Sequence, residues 1–398
     1  MVDVRQLHES EFRPAHSLFR AALHSAPAPD EHWQYIHGSY EPGRVLGAFD
    51  GTEMIGTALS FTMRMTVPGS ADVPMAGVSR VGVRADRTRR GALTELMRRQ
   101  LDELREQGDV AATLRATESL IYERYGYGVA SRGRNVEVDL RRAGWRDGAP
   151  TGGEVRLLVP EQMHITLPEV YRTLPARRPG AATRPQHWWD DVVRRLVATG
   201  EHLVAAVHTG PDGDDGLAIW TPERDPRTDG LLVVRDLVPG SAAASAGLWR
   251  LLTSIDLAGT VRAPLQPLDD QLDLLVADGR GVRTTGIEDE VWLRLLDVPA
   301  ALTARNYGAA EPVVLEVFDA ALPANSGCYR ITPEGMEQAS AEPDLSLGVG
   351  PLAMMYLGDR APSALARAGR ITVHHREALS RADVLFRTPE PPWCGTYF

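Results

Sequence analysis

Arginine and glycine are concentrated in the short stretch Arg87–Ala92, which reads Arg-Thr-Arg-Arg-Gly-Ala and separates a strand-like segment from a helix-like one. The first turn of a helix carries unpaired backbone N–H groups and a partial positive charge, and it therefore binds phosphate. Arginine side chains beside it add bidentate donors. Because positive charge at a helix start is otherwise unfavourable, arginines that merely decorate the helix are the weaker explanation. The stretch predicts a pyrophosphate-like ligand.

Two common phosphate-binding motifs are absent from this stretch. It contains neither GxGxxG nor GxxxxGK[ST], so it supports neither a dinucleotide site of the Rossmann type nor a P-loop. We expect the ligand to be held by the end of the strand and by the turn, through Val81, Gly82, Val83, Arg89, Arg90, Gly91, Ala92 and Leu93.

Three tyrosines follow closely in Tyr122-Glu-Arg-Tyr125-Gly-Tyr127-Gly128. For Tyr122 and Tyr125, aromatic packing at a turn is the better explanation. Tyr127 differs because glycines flank it on both sides. A phenol with a pKa near 10 is protonated at neutral pH and can therefore serve as a proton donor.

The chain ends in an aromatic, proline-stiffened segment, Pro391–Phe398, whereas most termini are polar and frayed. The composition of this segment is compatible with two roles: hydrophobic docking of the tail, or participation in a functional site. Cys394 is a nucleophile in principle, but the sequence places no histidine partner for it.

Carboxylates beside tryptophans are candidates for binding a cationic amine, through charge and through the faces of the rings. Asp30 lies close to Trp33, and Trp188 precedes two aspartates. Glu118 follows the strand near the tyrosine turn. For each tryptophan, ordinary packing is at least as good an explanation.

These residues must be positioned by a strand, a turn, a helix and a second strand. Leucines and a methionine recur at spacings of three and four residues and predict an amphipathic helix over Gly91–Gln107. Strands are expected at Met75–Val83 and Val110–Arg115, and a hairpin turn at Asp50-Gly51. The prediction is an α+β sheet that binds its ligand at the turn.

The order strand, helix, strand recurs after a Gly- and Pro-rich linker at residues 141–153. Here we expect strand Gly230–Leu237, helix Ala242–Ile255 and strand Thr260–Ala263. No basic glycine turn precedes this helix, which suggests a related domain without a phosphate site. A last segment begins at Val291.

Composition limits the function further. A chain of 398 residues should form two or three domains, and a net charge of −10 argues against a general nucleic-acid binder and favours cationic partners. No apolar run is long enough for a membrane span, and no secretion signal is evident. The two cysteines have neither metal-ligand nor disulfide spacing, so we expect no metal and a cytoplasmic location.

Residues 78–97, VSRVGVRADRTRRGALTELM, resemble the acetyl-CoA motif of the GNAT superfamily of N-acetyltransferases. With IYERYGYG at 121–128, MMYLGDRAPSALARAGRI at 354–371 and the terminal CGTYF, essentially the whole chain resembles the Eis (enhanced intracellular survival) family. The turn departs from the family pattern at Thr88 and Leu93 and keeps the centre Arg89-Arg90-Gly91.

The resemblance implies an α+β fold with two GNAT-like mixed-sheet domains followed by a sterol-carrier-protein-like α/β domain. We expect residues 1–147 to form the catalytic domain that binds acetyl-CoA as co-substrate, and residues 148–289 a degenerate GNAT-like domain. Residues 290–398 would form the sterol-carrier-like domain, with the C-terminus reaching the active site.

The resemblance also implies the reaction. Amines of aminoglycosides would be acetylated, at several positions, by direct transfer in a ternary complex. Tyr127 would act as general acid and the Phe398 carboxylate as general base, in a homohexamer. Protein lysines or polyamines are alternative acceptors, and a non-catalytic carrier of CoA or lipid is the alternative from another class.

Overall fold

The computed structural model describes residues 2–174, 178–224 and 229–398. These residues form two compact units. The first contains the chain up to Ser131 together with Val291–Pro392 and Tyr397–Phe398, and the second contains Arg132–Glu290 and Trp393–Thr396.

The described residues contain strands β1 (Asp3–Gln6), β2 (Val45–Asp50), β3 (Glu53–Thr66), β4 (Asp72–Val83), β5 (Ala111–Leu114), β6 (Gly128–Asp139), β7 (Glu154–Leu158), β8 (Val204–Gly210), β9 (Gly213–Glu223), β10 (Gly230–Pro239), β11 (Ala258–Gln266), β12 (Val282–Leu295), β13 (Val313–Phe318), β14 (Gly327–Thr332), β15 (Gly335–Ala339), β16 (Leu345–Gly348) and β17 (Ile371–Val373).

They also contain helices α1 (Glu9–Ala22), α2 (Asp30–Ile36), α3 (Ala92–Glu106), α4 (Ser119–Tyr122), α5 (Pro160–Thr173), α6 (Gln186–Trp189), α7 (Arg195–Ala198), α8 (Ala242–Thr253), α9 (Leu272–Leu275), α10 (Val298–Ala304), α11 (Val349–Tyr356), α12 (Pro362–Arg367) and α13 (Glu377–Phe386). Within the described ranges, every helix is too short or too polar to cross a bilayer.

The first unit contains a mixed sheet in the order β1-β2-β3-β4-β5, and the end of β12 runs antiparallel to β5. The predicted hairpin turn joins β2 to β3, where Asp50 pairs with Glu53. β4 and β5 are parallel, with α3 in the connection between them. Helices combined with this mixed sheet confirm the α+β prediction.

Helix α3 forms because its apolar residues fall on one face, as the sequence predicted. Leu96, Met97, Leu101 and Leu104 are buried against the sheet. On the opposite face, the Arg98 guanidinium lies 3.2 Å from the Asp102 carboxylate. The observed helix begins and ends one residue inside the predicted range.

A second, five-stranded sheet completes the first unit, in the order β15-β14-β13-β16-β17. Helix α11 is apolar on all sides and almost wholly buried. The buried Arg305 side chain donates hydrogen bonds to the carbonyls of Tyr356 and Phe386, in the last turns of α11 and α13. Cations satisfy the unpaired carbonyls that helix C-termini leave.

The second unit repeats the topology of the first mixed sheet, in the order β7-β8-β9-β10-β11-β6. β10 and β11 are parallel and α8 connects them, which confirms the predicted strand, helix and strand. β4 and β10 each shift register against their antiparallel neighbours. A bulge therefore precedes the helix in both units.

The chain returns from the second compact unit to the first at Val291, where the last segment was expected to begin. The strand there, β12, begins nine residues earlier at Val282, where its residues are mostly exposed and polar. Two further strands, β15 and β16, were not predicted, because they are short and flanked by polar residues.

Candidate active site

The parallel strands β4 and β5 diverge at the predicted ligand site. They pair only where Met75–Gly77 meets Ala111–Thr113. β4 then continues to Val83, while β5 ends at Leu114. At the bulge, Arg80 has a φ of +50°. The stretch containing Val81, Gly82 and Val83 lies beyond the last β5 partner, so its backbone can pair with a ligand.

The turn that follows has the backbone geometry of an anion site. Arg89 has a φ of +61° and Gly91 a φ of +86°, whereas Arg90 between them has an ordinary negative φ. Alternation of this kind points successive N–H groups into one concavity. Gly91 is the N-cap of α3, and no side chain caps the helix. The first-turn N–H groups therefore face outward unpaired within the helix.

The arginines divide into two groups with different roles. Arg84 and Arg87 both donate to the carboxylate of Glu53. Arg89 and Arg90 are exposed, and within the described ranges neither has an ion pair. Their charge is available to phosphate. Ala92 is buried and Leu93 half-buried, so they anchor the start of α3 beneath the turn.

Gly91→Ala should raise the KM for the predicted co-substrate, acetyl-CoA, about tenfold while leaving the fold intact. The new Cβ would meet nothing within 4 Å, but a left-handed L-residue costs about 1 kcal/mol and disturbs the N–H concavity. Gly108→Ala is the matched control, because Gly108 follows the other end of α3 with a φ of +87° and equally open space. KM would be measured by steady-state kinetics. Equal effects of the two substitutions on KM would contradict the assignment of the turn before α3 as the pyrophosphate site.

Tyr127 lies in a turn that only glycines can form. A Cβ on Gly126 would stand 2.7 Å from the Val349 side chain, and one on Gly128 would stand 2.4 Å from the Gly350 carbonyl oxygen. Gly126 also has a φ of +84°. The Tyr127 side chain is completely buried, with its ring 5.8 Å from that of Tyr122 in an edge-to-face arrangement.

The Tyr127 hydroxyl has no hydrogen-bond partner among the described residues. Burial raises the pKa of Tyr127 above its ordinary value, and the nearby Arg294 guanidinium opposes that rise. The group is therefore a protonated, unused donor at neutral pH. Buried donors normally find a partner, so this one is suited to a ligand atom.

The last two residues contact side chains close to the divergence of β4 and β5. The Phe398 ring lies 5.6 Å from the Phe61 ring, nearly perpendicular to it. The Arg115 guanidinium stacks over the Tyr397 ring at 5.3 Å, and Arg115 directly follows β5. The last two residues of the aromatic terminal segment are thus packed against β3 and the end of β5.

Tyr127 and Phe398 lie on opposite faces of β4. Tyr127 shares an apolar cluster with Val78. Phe61, which contacts Phe398, stands where a side chain on Gly77 would project. Successive strand residues point to opposite faces. A ligand on the β4 edge would therefore have Tyr127 on one side of the strand and the Phe398 ring on the other.

The preceding segment, Trp393–Thr396, is held within the second unit. The buried carboxylate of Glu290 accepts two successive backbone N–H groups of this segment, at 3.0 and 2.8 Å. The Arg184 guanidinium donates to the Gly395 carbonyl at 2.7 Å and also pairs with Asp236. Charge-assisted bonds of this kind fix backbone position.

The start of α8 differs from the start of α3. The Ser241 hydroxyl accepts the Ala244 N–H at 3.0 Å and donates to the Asp215 carboxylate at 2.7 Å. Asp215 in turn binds the buried His208 ring. The second helix start is therefore filled by the chain's own hydroxyl and carboxylate.

Three of the four candidates for amine binding lie in the first unit. Asp30 and Trp33 both lie on α2, where the exposed Asp30 pairs with Arg13 and Trp33 packs 5.3 Å from Tyr40. Exposed Glu118 precedes α4 without a capping hydrogen bond. These three belong to the first unit.

Trp188 lies in the second unit and is only 6% exposed. Its ring is 4.8 Å from the ring of Trp189, and the Arg184 guanidinium stands 4.3 Å from it. The face of this tryptophan is thus in contact with a cation of the chain itself.

Sequence reasoning missed Phe61, Arg115 and Arg294. Phe61 gave no signal, because an aromatic residue in a strand is ordinary. Arg294 gave one: it is the charged residue in the apolar run Val291–Leu296, and buried arginines normally require a partner.

Family models identify three segments. Residues 3–130 and 180–295 each match an acetyltransferase (GNAT) domain, and residues 298–395 match a sterol carrier protein domain. These matches confirm the predicted order of domains, two GNAT domains followed by a sterol-carrier-like domain.

Relatives match over nearly the whole chain. An N-acetyltransferase from Streptomyces avermitilis, itself uncharacterized, is 35% identical over all of this chain and 99% of its own length. The N-acetyltransferase Eis of Mycobacterium tuberculosis is 34% identical over 87% of this chain and 86% of its own. The crystal structure of Eis1 from Mycobacterium abscessus superposes with a TM-score of 0.90, at 35% identity and full coverage of both chains.

Proposed function

The chain belongs to the Eis-like family of GNAT N-acetyltransferases, and from this we propose that it acetylates amines of aminoglycoside antibiotics at several positions, with acetyl-CoA as donor. Family membership rests on relatives at 34–35% identity. The observation that carries the mechanism is the Tyr127 hydroxyl, a buried donor without a partner in the described part of the chain.

The end of β4 and the turn before α3 would hold the donor. When bound, acetyl-CoA supplies an acetyl group activated as a thioester. The N–H groups between Arg89 and Leu93, with the side chains of Arg89 and Arg90, would bind its pyrophosphate. The open space at Gly91 supports this fit.

Tyr127 would act as the general acid. Its raised pKa keeps the phenol protonated at neutral pH, so it can donate to the sulfur as the thiolate leaves. The free thiol has a pKa of about 8.5 by analogy with cysteine. A proton from Tyr127 would make the sulfur a better leaving group as the carbon–sulfur bond breaks.

The terminal carboxylate of Phe398 would assist removal of the amine proton. A carboxylate with a pKa of about 3.5 is a weak base for an ammonium ion. It would therefore orient an amine that is already neutral, or act through water. The position of Phe398 on the opposite face of β4 from Tyr127 supports this division of roles.

Charge supports a cationic acceptor. The chain has a net charge of −10, and the exposed Asp30, which pairs with Arg13, lies one turn of α2 from Trp33. Protein lysines and polyamines share this chemistry. By family likeness we also propose a homohexamer that works in the cytoplasm and binds no nucleic acid.

Thiol release from acetyl-CoA should follow addition of kanamycin, and mass spectrometry should find more than one acetyl group on the product. Spermidine and a lysine peptide are the comparison acceptors. Turnover of the peptide alone would replace the aminoglycoside proposal with protein acetylation. If no thiol is released with any of the three acceptors although acetyl-CoA still binds, the alternative of a non-catalytic carrier of CoA or lipid would be favoured.

A further inference from the structure

A buried cation lies behind the tyrosine turn. Arg294, near the end of β12, has no solvent exposure. Its Nη2 donates to both carboxylate oxygens of Asp319, at 2.7 and 2.8 Å, and its Nη1 donates to the Leu295 carbonyl at 2.7 Å. The guanidinium is thus fixed in one orientation.

The third nitrogen of this guanidinium points to the turn. Arg294 Nε lies 2.9 Å from the point where a Cβ on Gly126 would stand, one residue before Tyr127. Nε has no hydrogen-bond partner in the described part of the chain. A buried donor without a partner is unfavourable and calls for an explanation.

Asp319 is itself saturated with hydrogen bonds. Its carboxylate accepts the Asn325 side-chain amide at 2.8 Å and the backbone N–H groups of Leu322 and Ala321 at 3.1 and 3.2 Å. Asn325 is completely buried and also accepts the Val298 N–H at 3.0 Å. The segment matched by the sterol-carrier model therefore holds Arg294 in place.

Proton donation by Tyr127 leaves a buried negative charge, which the Arg294 guanidinium can stabilise. When the O–H bond of Tyr127 breaks and an S–H bond forms on the leaving group, a phenolate remains in an apolar, aromatic cluster. Such burial disfavours the anion, and an adjacent cation favours it. Arg294 is the charged group that lowers the pKa of Tyr127, while burial and the neighbouring Tyr122 raise it.

We propose that Arg294, held by Asp319 and Asn325, is a positioning residue for the general acid: it stabilises the Tyr127 phenolate until solvent returns the proton. The sterol-carrier-like segment would thereby contribute to acetyl transfer. This inference rests on the proposed role of Tyr127 and goes beyond it, because it assigns a task to a side chain that contacts no substrate.

A double-mutant cycle tests the inference. Arg294→Met should lower kcat about 10- to 100-fold in the native background, with acetyl-CoA affinity unchanged. In the Tyr127→Phe background it should change kcat less than about twofold, because no phenolate forms. Arg294→Lys, which keeps the charge, should recover at least about fivefold over Arg294→Gln, and this pair replaces Arg294→Met if that variant fails to fold.

Arg305→Met is the control, because Arg305 is equally buried in the same unit but is held by backbone carbonyls. An equal loss of kcat from the Arg294 substitutions in both backgrounds would reduce Arg294 to a structural role and overturn the inference while Tyr127 remains the acid. An unchanged kcat in Tyr127→Phe alone would instead overturn the proposed acid, and the inference with it.

Discussion

Tyr127→Phe should lower kcat by about 10²–10⁴-fold, the range that positioned proton transfer contributes. The dissociation constant for acetyl-CoA should stay within about twofold of the native value. Because the hydroxyl has no hydrogen-bond partner in the described ranges, its removal breaks no bond of the fold. Stability should be unchanged or slightly higher. Single-turnover kinetics and thermal unfolding would measure both effects.

Tyr122→Phe is the matched control. Tyr122 packs against Tyr127, and burial raises its pKa to about 12. Its hydroxyl has no assigned role, so we expect less than a threefold change in kcat. If the two substitutions lower kcat equally, the effect belongs to packing of the aromatic cluster and Tyr127 is not the acid.

Extension of the chain beyond Phe398 should lower kcat by about 10²-fold or more, because an amide replaces the terminal carboxylate. A few glycine and serine residues suffice. The fold should persist, since the rest of the tail is held by Glu290 and Arg184 through bonds that an extension does not break. Unfolding temperature and acetyl-CoA binding should therefore match those of the native chain.

Phe398→Ala separates the ring from the carboxylate. It removes the contact with Phe61 but keeps the carboxylate, so kcat should fall about tenfold less than in the extended chain. The same glycine and serine residues added at the N-terminus should have no effect. Full activity of the C-terminal extension would remove the carboxylate from the mechanism.

The sequence predicted those parts of the site that depend on local signals. Helix α3 was placed to within one residue because its leucines are periodic and a glycine precedes it. Tyr127 was singled out because two glycines flank it, and the structure shows why they must be glycine: Val349 and Gly350 approach too closely for a side chain.

Contacts between residues distant in sequence were out of reach. The pairing of β5 with the end of β12 joins segments about 180 residues apart, and no periodicity encodes such a partner. The same holds for Arg115 with Tyr397 and for Arg294 with Asp319. An isolated arginine in an apolar strand signals a buried partner but does not say which one.

The filled start of α8 has a thermodynamic consequence. The N–H groups at the start of α3 have no partner within the helix and are proposed to bind acetyl-CoA. Acetyl-CoA at one hundred times its dissociation constant should therefore stabilise the first unit by about 2.7 kcal/mol. At α8 the Asp215 carboxylate and Ser241 hydroxyl are permanently in place. The free energy of unfolding of one strand–turn–helix unit should therefore rise with the concentration of its ligand. That of its counterpart should not depend on this ligand.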